Sequence, residues 1–427
     1  MPEPEGDVAP DVTQARAFWR LIGYAALLGT LGSVAGLVFL AVVGLGPRLY
    51  GDQPTGWMDG PWWWVLVAMA AGLAVGLLRR AFRSPEETPG LIEDVQAQHV
   101  EARPVPSVVA ISAVSLVGGA SLGPEVALGQ VGGGAADVIS RRRGLDEETG
   151  KALTLSGIAG AFGGMFSSPV LSVVLVLELA RPGRRVFTEG LYASIVAASI
   201  SFGIYFTVAG TIFLGIYEVP AYHYADWHLL AAVPLGLLAV AVVLVTMAVG
   251  AATKRAIAAV RLPAVATPVL GGLLFGLIGV ALPLTSFTGS DQLGVALEDS
   301  ATLGTGLLLA VLVGKMLAFA VSTATGFVGG PIFPVLFLGG VSGILVHQVV
   351  PDVPLALAFA CLLAAVPGAI VGAPFTLVLL AALMTQVGAL GTAPVLISVA
   401  TASLSVSGLK YLRARRAAAA DADPEAT

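Results

Sequence analysis

The chain has 427 residues, of which 56% are hydrophobic and only 11% charged, and its mean hydropathy is +0.89. That charge content is less than half of what a soluble domain carries, and the net charge of −5 lies mostly in tails and loops, so it identifies no charged partner. Apolar runs of about 20 residues are the mark of bilayer spans, and the short alternating strands of a membrane barrel are missing. The expected class is an all-α polytopic membrane protein.

Residues 1–17 read as a polar tail. No cleavable signal is expected, because the start is acidic and the first apolar run is too long. Clear spans are predicted at 18–46, 61–78, 190–214, 227–252, 266–284 and 303–325. Shorter or interrupted runs cover 105–117, 124–139, 152–166, 169–180, 331–349, 354–372, 374–390 and 393–407. Residues 413–427 read as a second polar tail, with no cytosolic regulatory domain. Basic clusters at Arg79/Arg80/Arg83, Arg141–Arg143, Arg181/Arg184/Arg185, Lys254/Arg255/Arg261 and Lys410/Arg413/Arg415/Arg416 are assigned to the cytoplasmic side. The weakly basic loops 47–60 and 215–228, flanked by Trp57, Trp62, Trp63, Trp64 and Trp227, are assigned to the outer aromatic belt.

Two stretches, 105–139 and 152–180, are apolar yet have basic loops on one side only. Each breaks near its middle, at Gly123-Pro124 and at Ser167-Ser168-Pro169, and each reads as a pair of half-helices. Such breaks are tolerated only inside protein or along a polar cavity. They also recur. "GGASLGPEVALGQVGG" (118–133) resembles "GFVGGPIFPVLFLGGVSG" (326–343), and "SGIAGAFGGMFSSPVLSVVLVLEL" (156–179) resembles "LLAAVPGAIVGAPFTLVLLAALM" (362–384). Gly123 and Gly330 stand 207 residues apart, Pro169 and Pro374 205. The inferred repeat has halves at about 60–213 and 227–409, and broken helices at matching places point to a transport site near the midplane.

A half-helix that begins inside the membrane presents unpaired N–H groups and the positive end of its dipole, which together make an anion site. Glycine lets the backbone approach the ion, and proline at the first helical position loses no hydrogen bond. A cation site would instead show several buried carboxylates. The plainer alternative is that these glycines only allow close helix packing. Glu125 reads as a dipole-complementing acid or as a displaced gate. Lys315 is expected to snorkel or to bind a carbonyl. Cys361 reads as packing. His99, His223, His228 and His347 show no metal spacing, and neither a metal site nor a cofactor is expected.

On these segments the chain resembles the CLC family of chloride channels and proton/chloride exchangers, over about residues 20–412. "KMLAFAVSTATGFVGGPIFPVLFLGG" (315–340) is similar to the family's GGxFxP filter loop and the helix before it, and "LGPEVALGQVGGG" (122–134) to its GREGP segment. "SGIAGAFGGMFSSPVLSVVLVLELARP" (156–182) and "GAPFTLVLLAALMT" (372–385) resemble its other helix pairs. The resemblance implies a CLC-type inverted repeat, a homodimer, and one anion pathway per subunit. It implies a filter formed by Ser121, Leu122, Gly123, Pro124, Gly330, Pro331, Ile332 and Phe333. Departures are equally informative. The family's gating glutamate falls on Leu122 and its inner proton glutamate on Leu179. Glu178 keeps a neighbouring acid, read as a structural partner of Arg181, Arg184 or Arg185. Thr88 is the nearest hydroxyl to the missing inner filter serine, and Tyr411 is the nearest match to the inner tyrosine. Pro331 removes one filter N–H and leaves Ile332 and Phe333 as donors. The function expected from this pattern is passive conduction of chloride or a related small anion, with no nucleic acid and no enzymatic activity. The alternatives are a proton-coupled exchanger using Glu125 or Glu178, and a non-conducting scaffold or sensor. The expected location is the plasma (inner) membrane of a bacterium, with both termini cytoplasmic.

Overall fold

The computed structural model describes residues 16–51, 53–84, 90–210 and 214–422. The described chain is helical: α1 (Arg16–Val43), α2 (Leu45–Tyr50), α3 (Trp63–Phe82), α4 (Leu91–Ala97), α5 (Val105–Val117), α6 (Glu125–Arg143), α7 (Glu147–Met165), α8 (Pro169–Ala180) and α9 (Arg184–Ala209) form the first half. The second half consists of α10 (Trp227–Val260), α11 (Ala266–Ala281), α12 (Ser290–Glu298), α13 (Thr305–Ala324), α14 (Ile332–Val349), α15 (Leu355–Val371), α16 (Pro374–Thr385) and α17 (Gly388–Ala422). Among the described residues, seven helices are long and apolar enough to cross a bilayer.

The two halves repeat element by element. In order α1 corresponds to α10, α3 to α11, and α4–α9 to α12–α17. In each half the most buried helices surround the breaks: α7 packs on α6, α9 and α1, and α15 packs on α14 and α17. The α3–α11 contact joins the halves. Close packing explains some of the glycine. A side chain on Gly132 would fall on the Gly157 carbonyl, and one on Gly157 on the Gly132 carbonyl, so α6 and α7 touch backbone to backbone.

Local chemistry sets the breaks. Ser167 adopts a positive φ of 54°, α8 restarts at Pro169, and the Ser168 side chain caps it by accepting from Leu171 N at 3.2 Å. The run predicted over 374–390 ends at Thr385, where Gln386 turns at φ 51°. The run predicted over 393–407 belongs to α17, which continues to Ala422. Trp64 departs from the aromatic belt. It is fully buried and donates through Nε1 to the Tyr50 carbonyl at 2.9 Å, whereas Trp57, Trp62, Trp63 and Trp227 are exposed.

Candidate anion site

The loops before α6 and α14 meet and pair. Gly123 N donates to Gly330 O at 2.8 Å, and Gly330 N to Gly123 O at 2.8 Å, a short antiparallel bridge. The N-termini of the two half-helices are thereby brought together. Each loop is also held by a serine of the other half. Ser121 N donates to Ser322 Oγ at 3.2 Å, and Val328 N donates to Ser115 Oγ at 3.1 Å. Ser115 and Ser322 stand 207 residues apart, as do Ser121 and Val328. Each serine in turn donates to its own helix, to Ile111 O and Ala318 O, both at 2.7 Å. Sequence reading missed these serines, although the 207-residue repeat was a signal that would have found them.

The glycine amides are consumed by this bridge, and Pro124 and Pro331 have no N–H. The backbone donors left on the second loop begin at Ile332 and Phe333. Ile332 N donates to the Glu125 carboxylate, at 2.7 Å from Oε1. The backbone N–H groups of Glu125 itself and of Phe333 also lie close to this carboxylate. Glu125 is fully buried, and its second oxygen, Oε2, has no hydrogen-bond partner. This acid thus lies across the start of its own helix and caps the start of the other one.

The paired glycines now have a specific cause. A Cβ built on Gly330 would fall on the Glu125 carboxyl group, and so would one built on Gly123. Both residues are glycine where the carboxylate needs their room. Leu122, the place of the expected missing gate, is fully buried, and its Cβ lies 2.6 Å from where a side chain on Gly329 would begin. Ser121 is buried beside it, with its Oγ unpartnered. Phe333 stacks on Phe166, with ring centroids 6.3 Å apart and an interplanar angle of 16°.

A cavity of about 410 Å³ reaches the site, lined by Pro124, Phe333, Phe287, Asp291 and Gln292 with Pro47 and Ile216. The last two belong to the tryptophan-flanked end of the molecule.

Other candidates are placed differently. Leu179 is buried and apolar. Glu178 does not pair with Arg181, Arg184 or Arg185; it accepts from Phe375 N and Thr376 N, both at 2.9 Å, and from Thr376 Oγ1 at 2.7 Å. Arg185 pairs with Glu148 at 2.7 Å and Glu189 at 3.0 Å. Tyr411 is 66% exposed because α17 runs on as an uninterrupted helix, so it does not join the buried groups around Glu125. Thr88 lies outside the described residues. Lys315 binds carbonyls, donating to Thr285 O at 3.0 Å and Phe287 O at 2.8 Å. Its ammonium also lies 5.0 Å from the centre of the Phe337 ring. Cys361 is fully buried. Among the described residues no three His, Cys, Asp or Glu side chains cluster as a metal site would require.

A family model described as "Voltage gated chloride channel" matches residues 71–407. The chain belongs to this CLC family. Curated relatives include the "Putative ion-transport protein YfeO" of Escherichia coli (strain SMS-3-5 / SECEC), 28% identical over 314 residues, which cover 71% of this chain and 72% of that protein. The protein of the same name from Salmonella newport (strain SL254) is 27% identical over 313 residues, covering 71% and 73%. Among solved structures, a slow cyanobacterial Cl−/H+ antiporter superposes with a TM-score of 0.77 at 21% identity, over 91% of this chain and 95% of that one. A CLC-type fluoride/proton antiporter superposes with a TM-score of 0.71 at 19% identity, over 90% and 94%. The CLC fold and an integral membrane protein of the anion-transport class follow.

Proposed function

We propose that this CLC protein moves chloride or a related small anion across a bacterial inner membrane, with Glu125 as both gate and proton carrier. The observation that carries the reading is the 2.7 Å hydrogen bond from Ile332 N to Glu125 Oε1. The donor that an anion would use at the start of α14 is occupied by a carboxylate. An ionised carboxylate is attracted there by the helix dipole and competes with the anion. A protonated one is not held by charge and yields the place. Position 122 then needs no acid. The expectation of passive conduction rested on the leucines at 122 and 179, and Glu125 supplies the group that Leu122 does not. The family resemblance further supports a homodimer with one pathway in each subunit, both termini in the cytoplasm, and membrane domain limits near residues 18–412.

A second reading keeps Glu125 as a gate but leaves anion flux uncoupled from protons. It is favoured by the apolar Leu179 and by Glu178 being committed to the start of α16. Reconstituted liposomes separate the two. With a chloride gradient imposed, the parent should drive protons uphill and its flux should rise as pH falls. Glu125→Gln should carry anions without proton movement and without pH dependence. Parental flux that ignores pH and matches Glu125→Gln would remove Glu125 from the pathway. A pH-dependent parent that moves no protons would leave the gate and discard the coupling.

A further inference from the structure

The basic end of the molecule holds a second buried acid that the anion site does not use. Asp94 lies on α4, which packs against α6 and α8. It is only 8% exposed. Its carboxylate accepts a close hydrogen bond from Gln130 Nε2. Gln130 is on α6, five residues beyond Glu125 and therefore about 7.5 Å along the helix axis toward the arginine-rich end. Gln130 is itself buried, and its Oε1 has no partner. At the other end of α4, Gln98 Nε2 donates to Ala180 O at 3.2 Å, one residue beyond Leu179. A cavity of about 670 Å³, lined by Ala97, Gln98, His99 and Asp137 among others, opens beside this end.

The charged neighbours do not explain the acid as half of an ion pair. Glu93 and His99, on or next to its own helix, act on Asp94 at longer range. On α6 the next acid, Asp137, is taken by Ala102 N at 3.1 Å and Arg141 Nε at 2.9 Å. On α8, Glu178 is taken by α16. Among the described residues Asp94 has no salt bridge. An asparagine would fill the same space and bond to Gln130 without the desolvation cost of a buried charge. Asp94 stands in the first turn of α4, where the helix dipole favours its charge, and its burial beside Gln130 sets it apart from a plain surface cap.

We propose that Asp94 is the cytoplasmic-side proton acceptor of this transporter, in the role that the apolar Leu179 cannot fill. The proposal rests on the reading of Glu125 as proton carrier. Hydronium at the basic end of the molecule gives its proton to an Asp94 oxygen and becomes water. The proton then passes by way of water to the Glu125 carboxylate, and Asp94 returns to its anionic form. Gln130 is a positioning residue: its amide holds Asp94 toward α6, and its buried Oε1 is a further acceptor beside that acid.

The test uses the full chain in liposomes, with an imposed chloride gradient, a chloride electrode and a pH electrode, and a protonophore control. Asp94→Asn should keep anion flux within about twofold of the parent and lose proton movement at least tenfold, whereas Asp94→Glu should keep it. Parental proton movement per anion in Asp94→Asn overturns the assignment and leaves Glu125 as carrier. A parent that moves no protons at all overturns both. If Asp94→Asn does not fold, Asp94→Glu must shift the pH midpoint of proton movement, and an unchanged midpoint refutes the role.

Discussion

Glu178 is the other acid that a coupled mechanism could call on, and its surroundings allow a sharp test. Helices α8 and α16 are repeat partners, and each begins with a proline. In α8, Ser168 supplies its own cap. The residue before Pro374 is Ala373, which has no oxygen to offer, and the free N–H groups at the start of α16 go instead to Glu178, which projects from α8. Removing that carboxylate strands two amides and one hydroxyl. A lost cap costs about 0.5–2 kcal/mol, and hydrogen bonds to a charged group contribute about 1.5–3 kcal/mol each. Glu178→Ala should therefore destabilise by about 2–4 kcal/mol. Ala373→Ser copies the Ser168 cap, placing an Oγ near Thr376 N, and should return about 1 kcal/mol. The assay is thermal denaturation of the detergent-solubilised protein, read by size exclusion of heated samples, alongside proton and anion flux. A Glu178→Ala protein with parental thermal stability and no proton movement would refute the capping role and make Glu178 the proton group.

Three more outcomes follow from the geometry. Ser322→Ala leaves the Ser121 N–H buried without an acceptor, at about 1–3 kcal/mol; Ser115→Ala does the same to Val328 N–H. Because both loops meet at the glycine bridge, the double variant should show non-additivity in a double-mutant cycle of thermal stability and chloride affinity, and strict additivity would argue against a shared clasp. Gly330→Val, forced onto the Glu125 carboxyl, should reduce chloride flux at least tenfold, while Ser121→Ala, which removes an unpartnered hydroxyl, should stay within about threefold; equal small effects would mean that the glycines merely pack. At the start of α7, hydrogen bonds from the Thr149 side chain, then its backbone, and the Arg185 charge hold the Asp146 carboxyl below its ordinary value. That stabilisation is present above the unfolded carboxyl range near pH 4 and is lost as pH falls through the folded value, so Asp146→Ala should cost about 1 kcal/mol in melts at pH 7 and nothing well below pH 4.

The repeat and its broken helices were legible because glycine, proline and long apolar runs report backbone demands directly. The placement of the Glu125 carboxylate was not. Motif spacing places the family's glutamate on Leu122, ahead of the proline. Function depends on where the carboxylate ends up, however, and side chains on a helix lean toward its N-terminus. A glutamate at the first position of α6 therefore sends its carboxylate back over the helix start to the facing α14. The cap made by Glu178 was hidden for another reason: its partners, Phe375 and Thr376, are almost 200 residues away, while three arginines stand close by in sequence. Tyr411 was misplaced because spacing alone does not reveal that α17 continues unbroken to Ala422.

The leucine at 122 and the glutamate at 125 belong together. The scaffold around the site is nearly symmetric: two glycines exchange hydrogen bonds, two serines exchange loops, and two half-helices converge. The repeat equivalent of Glu125 is Ile332, whose amide Glu125 binds, and the equivalent of Leu122 is Gly329, whose missing side chain makes room for Leu122. The charge is thus one-sided by construction. A second carboxylate at 122 would enter the same dry space, where two like charges oppose each other's ionisation and the Ile332 N–H at the start of α14 is already committed to the first. One acid can be drawn to the helix ends and released by a proton; two would hold a proton between them and stop responding singly to pH. If Glu125 is the gate proposed above, an apolar residue at 122 is what leaves it free to titrate singly.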